Sequence, residues 1–243
     1  MNNFIDTVET IPEGLGFNLF GPLHLAWLAL GILVITFVSL YYRRLDEQKA
    51  KSFRKIIAYI IVFDEIWKMF WLTVGGRYKF CYLPFHLCSV NIFLILYHSY
   101  RPSKAVDNFL YTVGIPGAMM AMLFPTWTEL PLFNFMHLHS FSIHILLMLY
   151  PIMLLVRGDI KPDIRQLPKS FAILAVLAVI ALCINLLLDT NFMFLMYVDP
   201  GNPLYPFYDI AGTHLAGFPV YIALLVMIMY GPIIIKNGIR HSS

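Results

Sequence analysis

Apolar, uncharged runs of about 20 residues constrain this chain more than any other feature, because that length spans the hydrocarbon core of a bilayer. "HLAWLALGILVITFVSLYY" (24–42) and "FAILAVLAVIALCINLLL" (171–188) carry no charged residue. Hydrophobic residues make up 59% of the 243 positions and charged residues 13%. A soluble domain carries about twice that charged fraction. The expected fold class is all-α: a polytopic membrane helix bundle whose core is the bundle itself.

Seven spans are predicted, at about 21–42, 54–74, 80–99, 106–124, 135–156, 169–188 and 214–235. Basic residues set their direction. The loops 43–55, 101–104 and 157–169 and the tail 236–243 hold six, two, four and two Lys or Arg, which is 14 of the 17 in the chain. The alternate side has only Arg77 and Lys79, and Lys68 lies within the second span. The positive-inside rule then places the N-terminus outside and the C-terminus in the cytoplasm.

Residues 1–20 read as a short acidic outer tail, with Asp6, Glu9 and Glu13 and no Lys or Arg, and not as a cleavable signal. Residues 21–236 form the transmembrane domain and 237–243 a cytoplasmic tail. The outer loop 189–213 is aromatic and proline-rich, which suits either an interfacial lid or an aromatic belt. Gly114, Gly117, Ala118 and Ala121 read as small packing residues between close helices. The expected location is the plasma membrane, with membrane lipids as partners. No nucleic-acid motif appears, no cofactor is implied, and the oligomeric state stays open. Cys81, Cys88 and Cys183 supply no disulfide framework.

The stretch "FCYLPFHLCSVNIF" (80–93) is apolar enough for a span yet holds Pro84, His86, Cys88 and Asn91. Cys88 falls about 12 Å below the outer end of the third span, at 1.5 Å per residue. His144 on the fifth span and Asp64 and Glu65 on the second reach nearly the same level. Above them stand His24, Lys68, His86, His137, His139, Asn185 and His214. This bias toward one leaflet predicts a polar cavity in the outer half of the bundle.

Asp64 and Lys68, four apart with the acid first, are the expected ion pair, which leaves Glu65 needing another partner or a proton. His86 and Cys88, two apart, point oppositely on a regular helix unless Pro84 distorts the turn. His137, Ser140 and His144 share a face. Lone histidines and buried cysteines are commonly inert packing groups, so the functional reading rests on coincident depth.

Three chemistries fit. A cysteine enzyme uses Cys88 as nucleophile and His144 as base, with Lys68 or Asn91 on the oxyanion and Asp64 or Glu65 orienting the charges. A transporter or small-solute binder uses Asp64, Glu65 and Lys68. A zinc site draws on the histidines, although no closely spaced His/Cys set is present.

"LPFHLCSVNIFL" (83–94) resembles the "LPLHLCS" signature of the YwaF-type bacterial membrane proteins, and "NFMFL" (191–195) their "NYMFL" segment. More distantly the chain is similar to the transmembrane protein 164 family. That resemblance implies a cysteine-dependent transfer of acyl chains between phospholipids, with Cys88 as nucleophile. "HILLMLYP" resembles the family's His-to-Pro segment and implies a role for His144. The histidine beside the family cysteine follows it there, whereas here His86 precedes Cys88.

Overall fold

The computed structural model describes residues 3–200 and 202–241; residues 242–243 of the predicted cytoplasmic tail lie outside them. Among the described residues every regular element is helical. The long helices are α1 (Pro22–Arg43), α2 (Glu47–Val74), α3 (Leu87–Tyr100), α6 (Phe135–Arg157), α7 (Leu167–Leu188) and α9 (Gly217–His241). Shorter ones are α4 (Lys104–Phe109), α5 (Ile115–Leu123) and α8 (Pro206–Ala211). Among the described residues, four helical segments are long and apolar enough to cross a membrane: Pro22–Arg43, Phe135–Arg157, Ile164–Leu188 and His214–Ile234. The protein is a multi-pass membrane protein that sits in the lipid bilayer.

The chain divides into two compact units, one ending at Pro162 and one beginning at Asp163. In the first, α6 is the central post. It packs against α1, α2 and α5, which is why its apolar residues run around the whole helix instead of along one stripe. Asn134 caps its start by accepting the Met136 and His137 amides at 2.9 and 3.2 Å. Gly158, at φ +87°, ends it in the left-handed conformation that glycine adopts without strain. Ile92 and Ile95 of α3 join Ile143, Leu147 and Tyr150 of α6 in the main core.

Two predicted spans differ in detail. The third is not helical from residue 80. A 3-10 turn covers Phe80–Tyr82, a second tight turn follows at Pro84 and Phe85, and α3 begins at Leu87. Proline biases its predecessor toward extended backbone, and Leu83 has φ −58° and ψ 148°. The fourth begins at Lys104 and is interrupted by a π-helical turn, Leu110–Gly114, between α4 and α5.

The acidic N-terminal segment is an ordered strap in the first unit. The Asn134 side chain donates to the Asn3 and Asp6 carbonyls, and the Phe135 amide donates to Phe4 O. Asp6 pairs with Arg77 at 3.0 Å, and Glu9 pairs with Lys79. The two basic residues isolated from the other Lys and Arg clusters thus hold the acidic strap. Gly16 is required where the strap meets the loop before α6, since a Cβ there would stand 2.0 Å from Thr128 O.

In the second unit, Asn185 near the end of α7 organises the following turn. Its carboxamide donates to Phe192 O at 3.1 Å and accepts from the Thr190 hydroxyl and the Phe192 amide. Met193 and Phe194 hold positive φ (57° and 55°), a strained pair for non-glycine residues.

Candidate functional site

The structure sorts the histidines by what their ring nitrogens do. His24 accepts from the Phe20 amide at Nδ1 and donates from Nε2 to Met122 O at 2.7 Å. His137 donates from Nδ1 to Leu130 O and accepts the Trp27 indole N–H at Nε2, both at 2.9 Å. His214 donates to Phe194 O and accepts from Tyr208. His98 is likewise held between Tyr150 and Asp107. With both nitrogens committed, three of these rings fasten loop segments to their neighbours and His98 ties α3 to α4 and α6. His24, His137 and His214, predicted to line a cavity, are structural clips in this arrangement, and Asn185 is the turn organiser described above.

His144 differs. Its Nδ1–H donates to Ser140 O at 2.6 Å, which fixes the tautomer and leaves the Nε2 lone pair as a base. No described residue hydrogen-bonds Nε2. The ring is buried and stacks on Trp127, with centroids 5.3 Å apart and planes 13° from parallel. Trp127 comes from the "PTWTELP" loop, whose role no spacing rule in the sequence betrays.

The intramembrane charges do gather, but with partners other than those predicted. Lys68 pairs with Glu65 at 2.5 Å, not with Asp64, and also reaches Tyr82 O at 3.4 Å. Asp64 instead stands 2.7 Å from His139 Nδ1. That approach is close but lacks the alignment of a directed hydrogen bond. His139 Nε2 lies 3.9 Å from Glu65. Two acids, a histidine and a lysine from α2 and α6 therefore form one continuous network. The reason for the swap is geometric. Residues three apart share a helix face as well as those four apart, and α6 presents His139 to Asp64.

Cys88 occupies the first turn of α3, two residues after the N-cap His86. It is partly buried against the core that also contains Ile143 and Leu147, the residues flanking His144. No described residue hydrogen-bonds its sulfur, so the Cys88–His144 contact is not formed here. No side chain caps α3, and a helix start leaves its first amides without helical acceptors. Those amides and the helix dipole favour negative charge beside Cys88. Lys68, by contrast, is held by Glu65, and the sequence pointed away from these amides by placing Cys88 mid-helix.

Asn91 sits one turn further along α3, 1% exposed, with neither side-chain polar atom hydrogen-bonded. It faces the π-helical turn: a Cβ on Gly114 would stand 3.6 Å from its Oδ1. π-turns inside helices recur at functional sites.

A cavity of about 170 Å³ lies beneath the strap. Of the sequence-predicted face, Ser140 lines it. A larger open groove of about 530 Å³ lies along Tyr59, Phe93, Tyr97 and Tyr100, away from every polar candidate. It is an open, shallow surface groove and not an enclosed site. Among the described residues no three His, Cys, Asp or Glu side chains gather to hold one metal ion.

Residues 19–235 match the family model described as the TMEM164 family, and the chain belongs to that family. No curated protein and no solved structure matches it.

Proposed function

We propose that this TMEM164-family protein is a cysteine-dependent lipid acyltransferase, a seven-span protein of a bacterial plasma membrane with its N-terminus outside. The observation that carries the reading is Cys88 in the uncapped first turn of α3, at the position that the family resemblance assigns to the nucleophile. His144, with one nitrogen fixed and the other open, supports it.

In the first half-reaction His144 Nε2 takes the thiol proton. The thiolate attacks the carbonyl carbon of a lipid ester, and the oxyanion is met by the amides opening α3 and by Asn91. Collapse breaks the ester C–O bond, and the leaving alkoxide takes the proton from His144. Cys88 now carries a thioester. In the second half-reaction an acceptor hydroxyl gives its proton to His144 and attacks the thioester. The new ester forms, and the thiolate is reprotonated. The Cys88–His144 approach tightens on substrate binding, as catalytic contacts do.

A solute- or proton-handling role is the second reading. The Asp64–His139–Glu65–Lys68 network favours it, because charges inside a membrane are costly without a use.

Intact-protein mass spectrometry after incubation with phospholipids separates the two. A fatty-acyl mass on wild type, absent from Cys88→Ala and removed by neutral hydroxylamine, is the expected result. Full lipid turnover by a folded Cys88→Ala protein, or solute uptake lost in Glu65→Gln and retained in Cys88→Ala, overturns the acyltransferase reading.

A further inference from the structure

We infer that the cavity beneath the N-terminal strap binds the uncharged, ester-bearing glycerol region of a lipid, with the Trp127 indole N–H donating to its carbonyl oxygen. The choice of ligand rests on the acyl-transfer reading; the site itself rests on what lines it.

Hydroxyl-bearing Thr7, Tyr82, Thr126 and Ser140 share the lining with Trp127 and apolar groups such as Leu130. Trp127 is 8% exposed and its Nε1 has no acceptor. A buried indole N–H normally finds a partner, and leaving one unmet is costly. An acceptor brought by a ligand removes that cost. No Asp, Glu, Lys or Arg lines the cavity. A phosphate or ammonium would lose its hydration there without a counter-charge, whereas an ester would not.

Size narrows the ligand further. At about 30 Å³ per water, 170 Å³ holds five or six waters. That matches a glycerol with one ester group, so the acyl chains must lie outside. The strap supplies Thr7 and Val8 to the lining, and its anchors to Arg77 and Lys79 hold it closed. The Trp127 ring stacks on His144, which connects the cavity to the base of the proposed reaction.

The test is binding of glyceryl monobutyrate to the full chain carrying Cys88→Ala, followed by saturation-transfer NMR in detergent micelles. Glycerol 3-phosphate is the charged comparison. Saturable binding of the neutral ester is expected, weakened about fivefold by Trp127→Phe, the worth of one neutral hydrogen bond. The phosphate is expected not to compete. Val8→Trp, which adds bulk to the lining from the strap and leaves the Trp127 side chain unchanged, is expected to abolish binding in a protein that still elutes as a single species. Unchanged affinity in Trp127→Phe or Val8→Trp, equal competition by glycerol 3-phosphate, or no saturable binding each overturns the site. Because Cys88 is absent from this protein, binding here without a thioester on wild type overturns the enzyme reading alone. A thioester without binding overturns the site alone.

Discussion

Replacing Asn91 with leucine is expected to stabilise this protein while ending its activity. Leucine has the branching of asparagine, with two methyl groups where Oδ1 and Nδ2 stand. Asn91 is 1% exposed and neither atom has a partner, so the native side chain carries the penalty of an unmet buried amide, about 1–3 kcal/mol. Leucine removes that penalty; its methyl groups are bulkier than Oδ1 and Nδ2, but the absent Cβ of Gly114 leaves room on that side, where even an added Cβ would stand 3.6–3.8 Å away. For a unit of roughly 160 residues, each kcal/mol moves Tm by about 2–4 °C, so a rise of about 2–12 °C is expected. The assay is thermal unfolding of the purified protein in detergent, followed by intrinsic fluorescence, with the thioester mass measurement run in parallel. Such a trade of stability for function is the usual signature of a working polar group. A Tm lowered by several degrees would falsify the premise, because it would mean that the amide is satisfied and structural. A raised Tm with undiminished thioester formation would remove Asn91 from the site.

Three further outcomes follow from the same geometry. Lys68→Met should cost about 3–5 kcal/mol by leaving the Glu65 carboxylate buried without its cation, while Glu65→Gln with Lys68→Met should recover most of the loss. Additive single effects in that thermal double-mutant cycle would contradict the pairing. His144→Gln should slow hydroxylamine-labile acylation about 10²–10⁴-fold with Cys88 intact. A rate within threefold of wild type would exclude His144 as the base. At the start of α2, the Lys49 amide donates to Asp46 at 2.9 Å, and this bond, foremost, holds the Asp46 carboxyl below the ordinary range. The cap is therefore fully present at neutral pH and is lost as pH falls through that lowered value. Asp46→Asn should keep Lys49 protected from hydrogen exchange in acid where wild type frays, and equal fraying in both would refute the sign.

The α3 start shows where local reasoning stopped. Pro84 signalled a disturbance, but periodicity alone continued the helix back to residue 80. Moving the start to Leu87 changes Cys88 from a mid-helix thiol to one beside free amides. The Asp64–Lys68 pairing failed for a similar reason. Residues three and four apart are nearly equivalent on one helix, and the choice was made by His139 arriving from another. Likewise, coincident depth grouped His24, His137 and His144 together. Only their partners separate two clips from a ring with one open nitrogen, because Trp27, Met122 and Trp127 come from other elements of the fold.

By itself the sequence determined that this chain is helical and lives in lipid, because hydrocarbon leaves a long apolar run no other way to satisfy its backbone. It also determined which polar residues are out of place there. Tertiary structure alone decided which of them are satisfied. A hydrogen bond depends on distances of a few tenths of an ångström and on direction, and those are set by how separate helices pack against one another.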